Sequence, residues 1–233
     1  MKRDDDVDTS PSARRRERER EEMRDRLLRT ARSIAAEQGW SAVTIRRIAD
    51  RIEYTSPVIY HYFSSKDALV AEVMCAGFRE IADRIADAAQ GSADTRLIAV
   101  GAAFWDFAFA APELYQAMNG QAGVSFAADD MPEEVEHSFR IFLGVLESIA
   151  AERGSRLADP VGAVNTVWAY LHGFVSLTMS GRAVGDVEQG KQLMLASLAP
   201  LFDAQLRPAA ASARTSRAGA RRRAAAAEVI RER

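Results

Sequence analysis

Between Thr44 and Tyr62 two short segments of helical periodicity meet across only three residues, and few folds accept so abrupt a join. Ser41 or Thr44 can cap the first segment, which would bury Ile45, Ile48, Ala49 and Ile52 and leave Arg46, Arg47 and Asp50 to solvent. Glu53, Tyr54 and Thr55 break the period. Thr55 can cap a second segment running to about Tyr62, with Ser56 and Pro57 in its first turn, where an amide proton has no helical acceptor to lose. Two short helices joined so tightly make a helix-turn-helix, whose second helix is laid into the major groove of DNA. The residues suit that use. Thr55, Ser56, Pro57 and Val58 are small or uncharged and can approach base edges, while Tyr60, His61 and Lys66 can hold phosphates and fix the register. Ile59 and Phe63 are expected to point back toward the preceding helix.

That preceding helix is marked by Met23, Leu27, Ala31, Ile34 and Ala35, with Gly39 able to supply a left-handed C-cap. Before it, the run ARRRERERE follows an acidic leader, MKRDDDVDTS, and its arginines and glutamates can pair at spacings of three and four along an exposed helix. Ser64 and Asp67 have the spacing of a capping box, opening a long helix on Val70, Val73, Met74, Gly77, Ile81 and Ile85. Further on there is no alternating strand pattern. Gly91-Ser92, Ala111-Pro112, Asp130-Met131-Pro132, Arg153-Gly154 and Gly181 to Asp186 punctuate helical stretches instead. The expectation is an all-α chain. A disordered leader and basic arm would occupy 1–19, a three-helix helix-turn-helix domain 20–66, and a helical domain 67–206. The tail 207–233 is rich in Ala and Arg and too poor in large apolar residues to order itself.

The formal net charge of −2 gives no global attraction to nucleic acid or anionic membrane, so such a partner must be met by local clusters. Cys75 is the single cysteine and cannot form an internal disulfide, and the first residues are acidic where a secretory signal is apolar; a cytoplasmic location is expected. Pro160 to Gly181 carries no full charge over a span long enough to cross a bilayer, but Asn165 and His172 lower its hydrophobicity, and a core or subunit-interface helix has the same composition. No glycine-rich phosphate loop, nucleophile elbow or paired metal-ligand motif is present, so neither an enzyme nor a cofactor nor a metal is expected. Glu134-x-x-His137 would need a second such pair and two further carboxylates to hold two irons, and is read as a surface pair. His172 is read as a hydrogen-bonded histidine in an apolar helix, with ligand contact as the alternative.

The run TIRRIADRIEYTSPVIYHYFSSKDAL, Thr44 to Leu69, resembles the DNA-binding domain of the TetR family of transcriptional regulators, including its Tyr-x-x-Phe pair (Tyr60, Phe63) and the Ser-Lys-Asp-x-Leu opening of the next helix. The likeness covers about 24–76 and departs at Glu53, where the family often has Gly. The resemblance implies that Thr44 anchors a phosphate, that Arg46 reaches a base, that Thr55, Ser56, Pro57, Val58, Tyr60 and His61 form the reading face, and that Lys66 meets the backbone. Arg14, Arg15, Arg16, Arg18 and Arg20 would be an arm reaching the minor groove, or else a solvated helix start.

It further implies a C-terminal domain that binds a small effector and dimerises through its last two helices, here about 160–180 and 186–205. Val187, Lys191, Met194, Leu198, Leu201 and Phe202 have near-seam spacing, and Gly162, Ala169, Gly173 and Ser176 permit close approach. WAYLHGFVSL, Trp168 to Leu177, resembles the Trp-His-Gly type of that domain. Pocket candidates are Phe104, Trp105, Phe107, Tyr115, Met118, Phe126, Phe139, Phe142, Trp168 and His172, each of which also fits plain core. Their low charge suggests an apolar effector. The implied function is a homodimeric repressor released from a palindromic double-stranded DNA operator by that effector. The alternative is an all-helical small-molecule-binding or interaction protein that does not read DNA; Arg46, Thr55 and Tyr60 favour the first.

Overall fold

The computed structural model describes residues 10–127, 129–183 and 185–209. Helix α1 (Pro11–Gln38) starts earlier than its apolar pattern suggests. Ser10 accepts the Ala13 amide at 3.2 Å, Pro11 occupies the first turn, and Arg15 pairs with Glu19 at 2.7 Å along the solvent face. The stretch 11–19 is therefore helix rather than a disordered arm; the rest of the expected leader, 1–9, lies outside the described residues, as does the tail from 210 onward. Gly39 ends α1 at φ +80° and ψ 163°, a conformation essentially restricted to glycine and distinct from the expected left-handed cap.

A 3₁₀ turn (Trp40–Ala42) leads to α2 (Ile45–Ile52), capped by Thr44, whose hydroxyl accepts the Arg47 amide. Helix α3 (Ser56–Tyr60) is shorter than expected at its C-terminal end, and α4 (Lys66–Ala88) is capped by Ser65 through the Ala68 amide, one residue after the predicted Ser64. Leu27, Ile34, Ile48, Ile59, Phe63 and Leu69 are all buried and form one core under α1 to α4. Helix α4 begins over these residues and runs on against α5, α6 and α7, so the two regions share a helix and one continuous core.

The second region comprises α5 (Ala93–Ala110), α6 (Pro112–Met118), α7 (Glu133–Glu152), α8 (Pro160–Met179) and α9 (Val187–Asp203); the predicted punctuation falls between them, but α6 ends at Met118, well before the predicted break at 130–132. Tight packing of α5 on α9 requires Gly101, where a Cβ would stand 2.7 Å from a Leu198 methyl. The described residues also contain a small antiparallel ribbon that the sequence reading missed: β1 (Ser155–Leu157) pairs with β2 (Leu206–Pro208), so Arg207 and Pro208 belong to the folded domain and not to the tail. Arg153 pins this pole by pairing with Asp203 at 2.6 Å and Asp94 at 2.8 Å.

The predicted seam on α9 needs correction. Met194, Leu198 and Phe202 are fully buried within the protomer, where they fill the space between α5, α8 and α9, and so cannot face a second chain. The apolar side chains that α8 and α9 leave exposed are Val161, Trp168, Leu177, Val187 and Leu193. No single described helix is long and apolar enough to cross a membrane.

Candidate nucleic-acid interface and effector domain

The turn between α2 and α3 is closed by Glu53 in the left-handed conformation, φ +62° and ψ 40°, the position where the resemblance leads one to expect Gly. The amide of Tyr54 reaches back to the Ala49 carbonyl at 3.0 Å. A non-glycine residue in this region costs about 1–2 kcal/mol, so the surrounding contacts impose the turn on an unfavourable side chain. Ile52 and Ile59, both buried, hold its two sides to the core. Arg51 clamps α2 to α1 through two bonds to Glu37, at 2.7 and 2.8 Å. That clamp, assisted by Ser33, holds the Glu37 carboxyl down to about 2.

On this scaffold most of the predicted side chains are exposed. Arg46 is 88% exposed and only loosely paired with Asp50, at 3.9 Å, so it is free to swing to another acceptor. Thr55, Pro57, Tyr60 and His61 are exposed, Tyr60 to 54%, while Ser56 and Val58 are half-buried at the front of α3. The Thr44 oxygen accepts its capping bond, which leaves its hydroxyl proton available to a phosphate. Lys66 is partly committed: its Nζ donates to the Trp40 carbonyl at 3.4 Å. One residue escaped the sequence reading. Tyr54 is exposed beside the N-terminal end of α3, with Arg26 lying 5.9 Å from its ring centre. Its place in the turn was visible in the sequence; its outward direction follows from the Glu53 conformation.

The effector candidates do not form one cluster. Phe104 meets Tyr115 edge-on at 6.0 Å, the Tyr115 hydroxyl lies 2.5 Å from His172 Nδ1, and the His172 ring stacks on Trp168 at 5.7 Å. Burial raises the Tyr115 phenol and lowers the His172 imidazole, so the pair is neutral and one donor is shared between them. Trp105 lies elsewhere, stacked on Phe109 at 4.6 Å and against Gly190 of α9. Met118 packs over Gly77 of α4, Phe107 and Phe142 are buried, Phe126 is half-buried, and Trp168 is 47% exposed on α8. Phe139 lines a shallow groove of about 350 Å³ with Met131, Val135, Glu136 and Arg140. Helix α6 also reaches the first region. Trp40 Nε1 donates to the Glu113 carbonyl at 2.7 Å, and Arg32 pairs with the Glu113 carboxylate at 3.3 Å. Among the described residues no group of three or more metal-ligating side chains occurs.

The chain is 43% identical over 51 residues to the HTH-type transcriptional repressor KstR2 of Mycolicibacterium smegmatis, a match spanning 22% of this chain and about a quarter (25%) of that protein's length. Among solved structures, a protein of unknown function from Rhodococcus sp. RHA1 superposes with a TM-score of 0.67 at 20% identity, covering 79% of this chain and 95% of that one. The transcriptional regulator FadR from Bacillus subtilis, solved in complex with stearoyl-CoA, gives a TM-score of 0.59 at 14% identity, covering 74% and 96%. At those identities the likeness is one of fold. Residues 27–73 match the family model described as bacterial regulatory proteins, tetR family, and residues 97–199 match that described as Tetracyclin repressor-like, C-terminal domain. The first match falls on α1 to α4 with the helix-turn-helix, the second on the bundle from α5 to α9, and the chain accordingly belongs to the TetR family of DNA-binding regulators, which are not enzymes.

Proposed function

We propose that this regulator is a cytoplasmic homodimeric repressor that occupies a palindromic operator and is released by a small apolar effector. The observation that carries the reading is that Arg46 on α2 and Thr55, Pro57, Tyr60 and His61 on and beside α3 are all exposed on either side of the left-handed Glu53 turn. Two copies of α3 would enter successive major grooves about 34 Å apart, with Thr44, Tyr60, His61 and Lys66 on phosphates and Arg46, Ser56, Pro57 and Val58 near base edges. The exposed Trp168 and Leu177 of α8 and Leu193 of α9 support a dimer face on these two helices, and Gly173 has open space where a partner helix can approach. WAYLHGFVSL on α8 supports the Trp-His-Gly type of C-terminal domain.

An effector would enter among Phe104, Tyr115, Phe142 and His172, displacing packed side chains. Its influence on DNA binding is limited to its difference in affinity between the two arrangements of the domain. Helix α6 supports the coupling, since Tyr115 faces His172 while Glu113, two residues earlier, holds Trp40 and Arg32. That the FadR structure of the same fold holds stearoyl-CoA supports a ligand with a long apolar segment, although the coenzyme A part of that molecule is highly charged. The test is selection of bound sequences from a random DNA pool at near-physiological salt. A two-fold symmetric site is expected, with affinity that falls steeply as salt rises. Folded protein that enriches no sequence, with and without candidate effectors removed by refolding, would defeat the reading.

A further inference from the structure

Helix α1 extends well past the domain it helps to build. Its buried side chains are Leu27, Ala31, Ile34 and Ala35, and at helical spacing the same stripe continues toward the N-terminus through Arg24, Arg20 and Arg16. Arg24 still belongs to the domain: it donates to the Tyr62 carbonyl at 2.7 Å, pairs with Glu72, and lies 4.5 Å from the Phe63 ring centre. On the other side of α1, Arg26 reaches the Ile52 carbonyl at 3.4 Å and the Tyr54 ring. The two turns that flank α3 therefore both rest on α1 at Arg24 and Arg26. Residues 11–22 project beyond that level by about 18 Å, exposed along nearly their whole length.

We propose that this projecting helix is a rigid spur that binds the DNA backbone flanking the operator, with Arg16 and Arg20 as its phosphate contacts. The proposal rests on α3 being the reading helix, since the spur leaves the domain from the pole where both ends of α3 lie. Among the described residues Arg16 and Arg20, like Arg14 and Arg18, make no ion pair, whereas Arg15 is paired with Glu19; what sets Arg16 and Arg20 apart is their place in line with Arg24 on the stripe that faces the domain. Three arginines at successive i, i+4 positions repel one another in an isolated helix, and of the three only Arg24 is relieved by Glu72. Phosphates would relieve the other two. A helix about 10 Å or more across does not fit a minor groove about 6 Å wide, so a helical segment here contacts the backbone instead of threading the groove as a flexible arm would.

The test compares two double variants of the full chain on the selected operator carrying about one helical turn of flanking duplex on each side. R16Q/R20Q removes the stripe that faces the domain. R14Q/R18Q removes the same charge from the opposite face of the same exposed turns. For R16Q/R20Q the slope of log affinity against log salt should become shallower by about 2 per protomer, with the selected sequence unchanged, and R14Q/R18Q should behave as the parent protein. An unaltered slope for R16Q/R20Q, or an equal change in both variants, would overturn the proposal. Failure of the parent protein to select any site is a separate result, and it would strike the DNA-reading function itself. Both variants lie on exposed turns and should keep the parent's helical circular dichroism and melting temperature.

Discussion

The two ends of this molecule use apolar residues in opposite ways. In α1 to α4 the large apolar residues are buried, and most of the side chains proposed to touch DNA, among them Thr44, Arg46, Thr55, Pro57, Tyr60 and His61, are already exposed in the free protomer. In α5 to α9 the residues proposed to touch an effector are largely core themselves, with Phe104, Tyr115 and Phe142 buried and His172 partly so. The first site is a surface held in place; the second must be opened. A rigid reading surface keeps its geometry for a rigid partner, whereas a site that doubles as core converts ligand binding into rearranged packing, which is what a signal to the first region requires.

That contrast can be broken most directly from below the reading surface. Phe63→Ala should cost about 3–5 kcal/mol, because the ring is almost fully buried between α1 and the α3–α4 turn; urea unfolding should show the loss. A loss under about 1 kcal/mol would mean that the site stands on a softer base. On the other region, Leu193→Glu places a charge on the face assigned to the partner. The dimer dissociation constant should rise by at least about 30-fold, the effect of removing about 2 kcal/mol, as followed by sedimentation. An unchanged dimer would move the interface elsewhere.

Tyr60→Ala should weaken operator binding at least tenfold, about 1.4 kcal/mol, with an unchanged unfolding midpoint, since the ring is half exposed. A falling midpoint with intact binding would place Tyr60 in the core instead. Glu53→Gly should stabilise the protein by about 1 kcal/mol by relieving the left-handed strain, seen as a higher melting temperature; destabilisation would show that the Glu53 side chain contributes contacts outweighing its backbone strain. The smallest effect belongs to His172. Burial lowers its folded pKa below the ordinary 6.5, so the unfolded chain takes up the proton first as pH falls. Stability should therefore decline from about pH 6.5 down to the lowered folded value and flatten below it. His172→Phe should remove that part of the pH dependence, and a stability profile identical to the parent's would show that the imidazole does not carry it.

Much of the first region was legible because its constraints are local. Thr44, Pro57 and the break at Glu53 fix a cap and a turn within a few residues, so the two helices that carry the candidate site could be placed in advance. Its errors were small and of the same kind: Ser65 outcompeted Ser64 as a cap, and Ser10 with Pro11 began α1 ahead of any apolar residue. In the second region the punctuation located every helix, yet the direction of each face was not readable. Met194, Leu198 and Phe202 have a spacing that suits a seam between chains and equally suits a core within one, and Trp168 looks like core until α8 is seen to turn it outward.

Capping, turn conformation and apolar period act over a turn or two, and they are why most helical segments, and the second helix of the helix-turn-helix, can be located along the chain alone. Which apolar stripe faces inward, the hydrogen bond between Tyr115 and His172, 57 residues apart, and the pairing of β1 with β2 at the far pole emerge only from the packed chain. Those outcomes depend on how helices distant along the chain pack, and apolar side chains of similar size satisfy a core and an interface alike.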